Sequence, residues 1–196
     1  MKKLLGCILF ILCSSIISVG QTSEHDQKSL IDSLTTLNKK MHDYVMRVQL
    51  LYFINDFENV FTSKEYESLD TLALAIDKES PIEIGVITID TLLVNIWDSA
   101  QHKRLSFDSL TLLLARKWVD RKKNEDNGIL IGFSKEMRRI RIQNGVGIEK
   151  RISDSETKDI LDSLILPQFK KGNYYEGIRE GILALYRKLN PTTTIH

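Results

Sequence analysis

The side chains of this chain with the most chemical reach are carboxylates. Asp126 opens an Asp126-Asn127-Gly128 turn, and Asn144, Glu149 and Asp154 follow. A tight turn at Ser134 would bring Gly145 back beside Asn127, so Asp126, Asn144 and Glu149 would share one end of a sheet, with Asp154 nearby. Oxygen donors of this kind suit calcium or magnesium. A divalent ion there would polarise a phosphoryl oxygen or activate water. The plain structural reading of the same residues is turn chemistry at Asp126, a solvated Glu149 and a helix start at Asp154. Asp56, Glu58 and Asp90 form a second acidic group, at the end of the strand that leads into Asp90. Its structural reading is an Asx turn around Asp56. The metal-ligand candidates are therefore Asp56, Asp90, Asp126 and Glu149. A metal-assisted phosphatase would take its catalytic carboxylates from Asp56, Asp126 and Asp154. Gly145 and Gly147 would either permit backbone angles or a close approach that other residues forbid, or cradle a phosphate. Arg141, with Arg138 and Arg139, would hold an anionic substrate or form a solvated strand face.

Other chemistries are excluded by what the sequence lacks. It has no Gly-x-Ser-x-Gly elbow, no His-Glu-x-x-His helix, no Gly-Lys-Ser/Thr phosphate loop and no Asp-x-Asp-x-Thr strand. Of its histidines, His25, His42 and His196 lie in terminal segments, which leaves His102 as the central one. Cys7 and Cys13 are the only cysteines. Both fall within an apolar N-terminal run, so a processed chain would have no disulfide and no thiol site.

These groups need elements to position them. From Leu30 the apolar positions run Leu34, Leu37, Met41, Tyr44, Val48 and Leu51, a helical stripe that suits packing on a domain or a coiled-coil seam. Thr62-Ser63-Lys64-Glu65 has capping-box spacing and predicts a helix to about Asp77, broken at Ser80-Pro81. Ile82 to Ile89 reads as a buried strand. Residues 90–104 suit a short helix or a flap around Trp97. A helix capped by Ser106 or Asp108 follows, running to about Lys122 with Leu110, Leu113, Leu114 and Trp118 inward. Ile129 to Phe133 and Arg138 to Gln143 read as strands joined at Ser134. Ser153-Asp154-Ser155-Glu156 opens a helix that stops near Pro167. Tyr174 to Leu189 is the last helix, with Ile178, Ile182, Leu185 and Tyr186 inward. The helix between the Ile82 and Ile129 strands implies a parallel pair, and the Ser134 turn an antiparallel one. The fold class is α/β: a compact mixed sheet with helices on both faces, plus an N-terminal helix.

Lys2 and Lys3 followed by Leu4 to Val19, with Ser18-Val19-Gly20 at the end, read as a signal peptide cleaved after Gly20. The expected organisation is a signal over residues 1–20, a helical extension over 21–53, a domain over 54–190 and a tail over 191–196. Export to the periplasm or outside the cell follows. The 27 basic residues nearly balance 26 acidic ones. Without Lys2 and Lys3 the balance stands one charge negative, which gives no electrostatic pull toward nucleic acid. No second apolar run reaches membrane-spanning length.

From about Ile54 to Leu185, the order of landmarks resembles the TPM domain family. The landmarks are Asn55-Asp56 before the Thr62 cap, Ile84-Gly85-Val86-Ile87-Thr88-Ile89, and Trp118 ahead of Asp126-Asn127-Gly128-Ile129-Leu130. They continue with Arg139-Ile140-Arg141-Ile142, Asn144-Gly145-Val146-Gly147-Ile148-Glu149, Ser153-Asp154 and Pro167-Gln168-Phe169-Lys170-Lys171-Gly172-Asn173-Tyr174. The resemblance implies an α/β sandwich. It also implies calcium binding and acid phosphatase activity, as in some members, or a role in maintaining or assembling membrane complexes, as in others. Two functions are thus expected: an exported binding module with a protein partner at the membrane surface, steadied by calcium, or a metal-assisted phosphatase.

Overall fold

The computed structural model describes residues 26–33, 35–36, 52–91, 97–98, 103–104, 106–119 and 127–191. The chain divides into two units, Met1–Tyr44 and Val45–His196. In the first, residues 26–33 and 35–36 are helical. Thr35 donates its hydroxyl to the Ile31 carbonyl one turn back at 2.8 Å, and Leu30 and Ile31 are exposed. The expected signal peptide, Leu34 and positions 37–51 of the apolar stripe lie outside the described residues.

Among its described residues the second unit has six strands: β1 Ile54–Asp56, β2 Glu83–Thr88, β3 Trp97–Asp98, β4 Lys103–Arg104, β5 Gly128–Ser134 and β6 Arg139–Asn144. Four of them form a mixed sheet in the order β1-β2-β5-β6. β1, β2 and β5 run parallel, and β6 returns antiparallel to β5. Trp97, left between helix and flap by the sequence, belongs to the separate β3–β4 antiparallel ladder.

Parallel neighbours need a crossover, and helices supply each one. α1, Ser63–Glu79, links β1 to β2; both halves of the Thr62–Glu65 capping box form. α2, Phe107–Val119, precedes β5. Its cap is Ser106, whose Oγ accepts the Ser109 N–H at 3.1 Å, while Asp108 lies in its first turn.

β2 and β5 are buried on both faces. Ile84, Val86, Ile129, Ile131 and Phe133 point into one core layer, shared with Leu69 and Ile76 of α1. Ile87 and Leu130 point into the other, with Leu110, Leu114 and Trp118 of α2. Gly85 lies between Ile84 and Val86 and faces α2. A Cβ there would sit 2.7 Å from two ring atoms of Trp118, so glycine is what lets the indole lie flat on the strand.

After β6 come α3 (Val146–Glu149), α4 (Asp154–Ile160), a π-helical turn (Leu161–Ile165), α5 (Leu166–Lys170) and α6 (Tyr174–Leu189). The expected stop near Pro167 is corrected here. Pro167 sits in the first turn of α5, directly after the π turn, and the backbone stays helical through it to Lys170. The turn also seats Ile165 against α6, where a Cβ on Gly181 would approach Ile165 Cδ1 to 2.6 Å. Ile178, Ile182, Leu185 and Tyr186 of α6 are buried, as their spacing predicts.

Candidate functional site

The acidic residues fall at opposite ends of the sheet. Asp56 ends β1, level with Thr88 of β2 and thence Phe133 of β5. Its Oδ1 accepts the Val60 N–H at 3.0 Å and the Thr88 hydroxyl at 2.8 Å, and its Oδ2 accepts the Phe61 N–H at 2.9 Å. This is a loop-closing carboxylate, and it allows Asn59 its left-handed φ of 53°, a conformation asparagine tolerates better than most residues.

Glu58 makes a longer reach. It accepts the Ser134 hydroxyl at 2.7 Å, the Lys135 N–H at 2.7 Å and the Glu136 N–H at 3.3 Å. Its own N–H donates to Thr88 Oγ1 at 2.9 Å. One side chain thereby ties the end of β1 to the β5–β6 turn. Asp90 lies two residues beyond β2 and accepts the Thr91 hydroxyl at 3.3 Å, a hydroxyl also within 3.3 Å of Glu136. Tyr66 donates to the Ile54 carbonyl at 2.9 Å, and burial raises its phenol above the ordinary value.

At the other end, the Gly145 N–H donates to the Gly128 carbonyl at 2.8 Å, which brings Asn144, Gly145 and Glu149 beside Asn127. Asp126 lies outside the described residues. The six residues of β5 between Asn127 and the level of Asp56 span about 20 Å. Asp56 therefore does not share a centre with the Asn127 end. Asp154, in the first turn of α4, is exposed.

A cleft of about 390 Å³ opens at the Asn127 end, between α2 and the β6–α3 connection. Gln143, Asn144, Gly145 and Glu149 line one side and Leu112 and Arg116 the other. Gln143 donates to Thr111 Oγ1 at 3.3 Å and Asn144 donates to Thr157 Oγ1 at 2.9 Å. Asn144 Oδ1 is buried without a partner among the described residues. At the rim, Leu112 and Val146 are 41% and 56% exposed, large values for apolar side chains.

Gly145 lines this cleft as the N-cap of α3, with an ordinary φ of −71°, and Gly147 lies inside α3. The expectation that these two glycines permit unusual backbone angles is corrected, because the described glycine with positive φ is Gly172. Arg141 points elsewhere. Its Nε and Nη2 donate to Asp108 at 2.8 and 3.1 Å, and Arg139 donates to the same carboxylate at 3.0 Å. The Arg141 bond, with the charge of both guanidiniums, holds Asp108 below the usual carboxylate range.

The cleft has the make-up of a recognition site: apolar rims and a few polar groups. Its oxygen-bearing side chains, Gln143, Asn144 and Glu149, are of the type calcium takes. Among the described residues no group of three or more His, Cys, Asp or Glu side chains is placed to hold a metal. Leu112 and Gln143 carry no motif, and Val146 enters the sequence reading only as part of the landmark Asn144-Gly145-Val146-Gly147-Ile148-Glu149, so none of the three was read as a site residue. Also among the described residues, no helix is long and apolar enough to cross a membrane.

Comparison with known proteins agrees with this architecture. The solution structure of the N-terminal domain of a P. gingivalis protein is 29% identical, with a TM-score of 0.57 over 74% of this chain and 88% of that one. The BA42 protein of the psychrophilic bacterium Bizionia argentinensis is 22% identical, with a TM-score of 0.54 over 69% and 85%. The N-terminal domain of the Corynebacterium glutamicum protein cg2496, at 9% identity and a TM-score of 0.50 over 76% and 87%, shares the fold. No curated protein matches the chain. The TPM domain matches residues 54–188, the whole of the sheet and almost all of α6, and the chain belongs to the TPM domain family.

Proposed function

We propose that this chain is an exported TPM-domain binding module, periplasmic or secreted, that acts in the maintenance or assembly of a membrane-associated complex. Its working surface is the cleft between α2 and the β6–α3 connection. The observation that carries the reading is the exposure of Leu112 and Val146 on the two sides of that cleft. Apolar side chains left in water around a polar floor suit a protein partner that covers them. Calcium held by Glu149 and the cleft amide oxygens, with Asp126 adjacent in sequence to Asn127, would steady the same surface. By contrast, Asp56 and Glu58 are occupied in holding loops together.

The test pairs Leu112→Glu and Val146→Glu in one full-length variant and measures its co-purification with membrane complexes from the native host. Loss of the partner, with urea stability unchanged, supports the module. Capture equal to wild type refutes the cleft as its working surface. Calcium-dependent turnover of a phosphate monoester, abolished by Asp126→Asn, would instead favour a metal-assisted phosphatase at this end of the sheet.

A further inference from the structure

Among the described residues β6 is an edge strand, with no strand paired to its outer side. The sheet ends on it, whereas the opposite edge, β1, is only three residues long and has its Ile54 carbonyl occupied by Tyr66. The Gly145 to Gly128 hydrogen bond fixes the phase of the β5–β6 ladder. Hydrogen-bonded and non-bonded pairs alternate in an antiparallel ladder, so Arg139, Arg141 and Gln143 turn their backbone groups toward β5. Ile140, Ile142 and Asn144 turn theirs away, and these backbone groups meet no partner among the described residues.

The side chains beside that open edge are sorted by face. Ile140 and Ile142 lie against the core layer shared with α1 and α6. Arg139 and Arg141 lie on the α2 side with about half of each side chain exposed. Asp108 offsets only one of these two positive charges.

We propose that β6 accepts an extended partner segment as a fifth strand, and that the segment alternates apolar and acidic residues. The partner's backbone would complete the bonds of Ile140, Ile142 and Asn144, as in strand addition to other exposed edges. Its apolar side chains would sit beside Ile140 and Ile142, and its carboxylates beside Arg139 and Arg141, where opposite charges across strands attract. A second copy of β6 is a poor occupant because its residues, Arg139 to Asn144, include no carboxylate to set beside these arginines. The proposal rests on the binding-module reading and names the chemistry of its partner.

The test uses the full chain and an acetylated eight-residue peptide of alternating valine and glutamate. Binding is followed by fluorescence anisotropy, and amide hydrogen exchange by NMR. The amides of Ile140, Ile142 and Asn144 are expected to exchange at least about tenfold more slowly with peptide bound, while those of Arg139, Arg141 and Gln143 change little. A valine–lysine peptide should bind about tenfold more weakly, because two cross-strand charge pairs change sign. A valine–glutamate peptide N-methylated at every residue, which has no N–H to offer on either edge, should not bind, and it requires no change to the protein. No binding at millimolar peptide, equal affinity for the lysine peptide, or binding without slowed edge amides would each overturn the proposal. If the peptide fails but the Leu112→Glu, Val146→Glu variant still loses its native partner, strand addition falls and the cleft reading stands.

Discussion

Replacing Asp56 with asparagine separates a structural carboxylate from a metal ligand. Asp56 accepts hydrogen bonds from two backbone N–H groups and one hydroxyl, at 2.8 to 3.0 Å. Asparagine can keep one oxygen for Val60 and Thr88, but it then turns its own N–H toward that of Phe61. One charge-assisted bond is lost, and two others weaken to neutral strength. Bonds to a charged group contribute about 1.5–3 kcal/mol and neutral ones about 0.5–1.5. Because Asp56 is only partly buried, the lower end applies, and Asp56→Asn should cost about 2 kcal/mol. The assay is urea denaturation of wild type and variant in EDTA and again with millimolar calcium. The structural reading expects the same loss in both buffers and an unchanged m value. A loss below about 0.5 kcal/mol in EDTA, less than one neutral hydrogen bond, that grows when calcium is added would refute it and make Asp56 a ligand.

The other predictions concern packing, charge and capping. Gly85→Ala should cost about 1–3 kcal/mol by overpacking, because the new methyl meets the buried Trp118 ring at 2.7 Å; Gly132→Ala should cost less, since it meets a single Thr111 methyl at 2.8 Å, and chemical denaturation compares the two. Asp108 has a lowered pKa, so its contribution is fully present above the ordinary value of 3.8 and is lost as pH falls through the folded value. The stability gap between wild type and Asp108→Asn should therefore be constant near neutrality and close in acid. At 38% exposure that gap should not exceed about 1 kcal/mol. Glu156 is held down to about 2 from 4.5, first by Lys188 and then by Ser153, so NMR titration of its carboxyl should place the transition well below that of a free glutamate. Thr62→Ala removes the N-cap of α1 and should lower stability by about 1 kcal/mol, read from the thermal midpoint.

Where the sequence carried a local pattern, it was legible. The final helix agrees to the residue, because Ile178, Ile182, Leu185 and Tyr186 repeat at helical spacing and all four are buried. Both capping boxes stood out as a hydroxyl three residues before a glutamate, and both form. β2 and β5 could be read as short β-branched runs because a parallel sheet buries both of their faces. β1 escaped notice because three residues are too few to show a period. The π turn escaped because its extra residue leaves no composition signal, and Pro167 then looks like a stop. The candidate site was half legible. Asn144, Gly145 and Glu149 were drawn to the Asn127 end by the Ser134 turn, and they lie there. Leu112 and Val146 were not singled out, since an apolar residue on a helix looks the same in sequence whether it faces core or water. Nothing near Glu58 announced a partner in the Ser134 turn, because side-chain bonds across such separations have no sequence signature.

That separation has a kinetic meaning. The β5–β6 hairpin closes between residues adjacent in the chain, whereas the bond from Ser134 to Glu58 joins positions 76 residues apart. Closing so long a loop costs entropy that local contacts do not, so the hairpin is expected to assemble first and the Glu58 tie to close late. A tie absent from the transition state governs unfolding rather than folding. Glu58→Gln should accordingly steepen the loss of native protein in stopped-flow unfolding and leave the refolding rate nearly untouched. In that sense Glu58 works as a latch: it has little part in how the domain finds its fold and sets how long the domain keeps it.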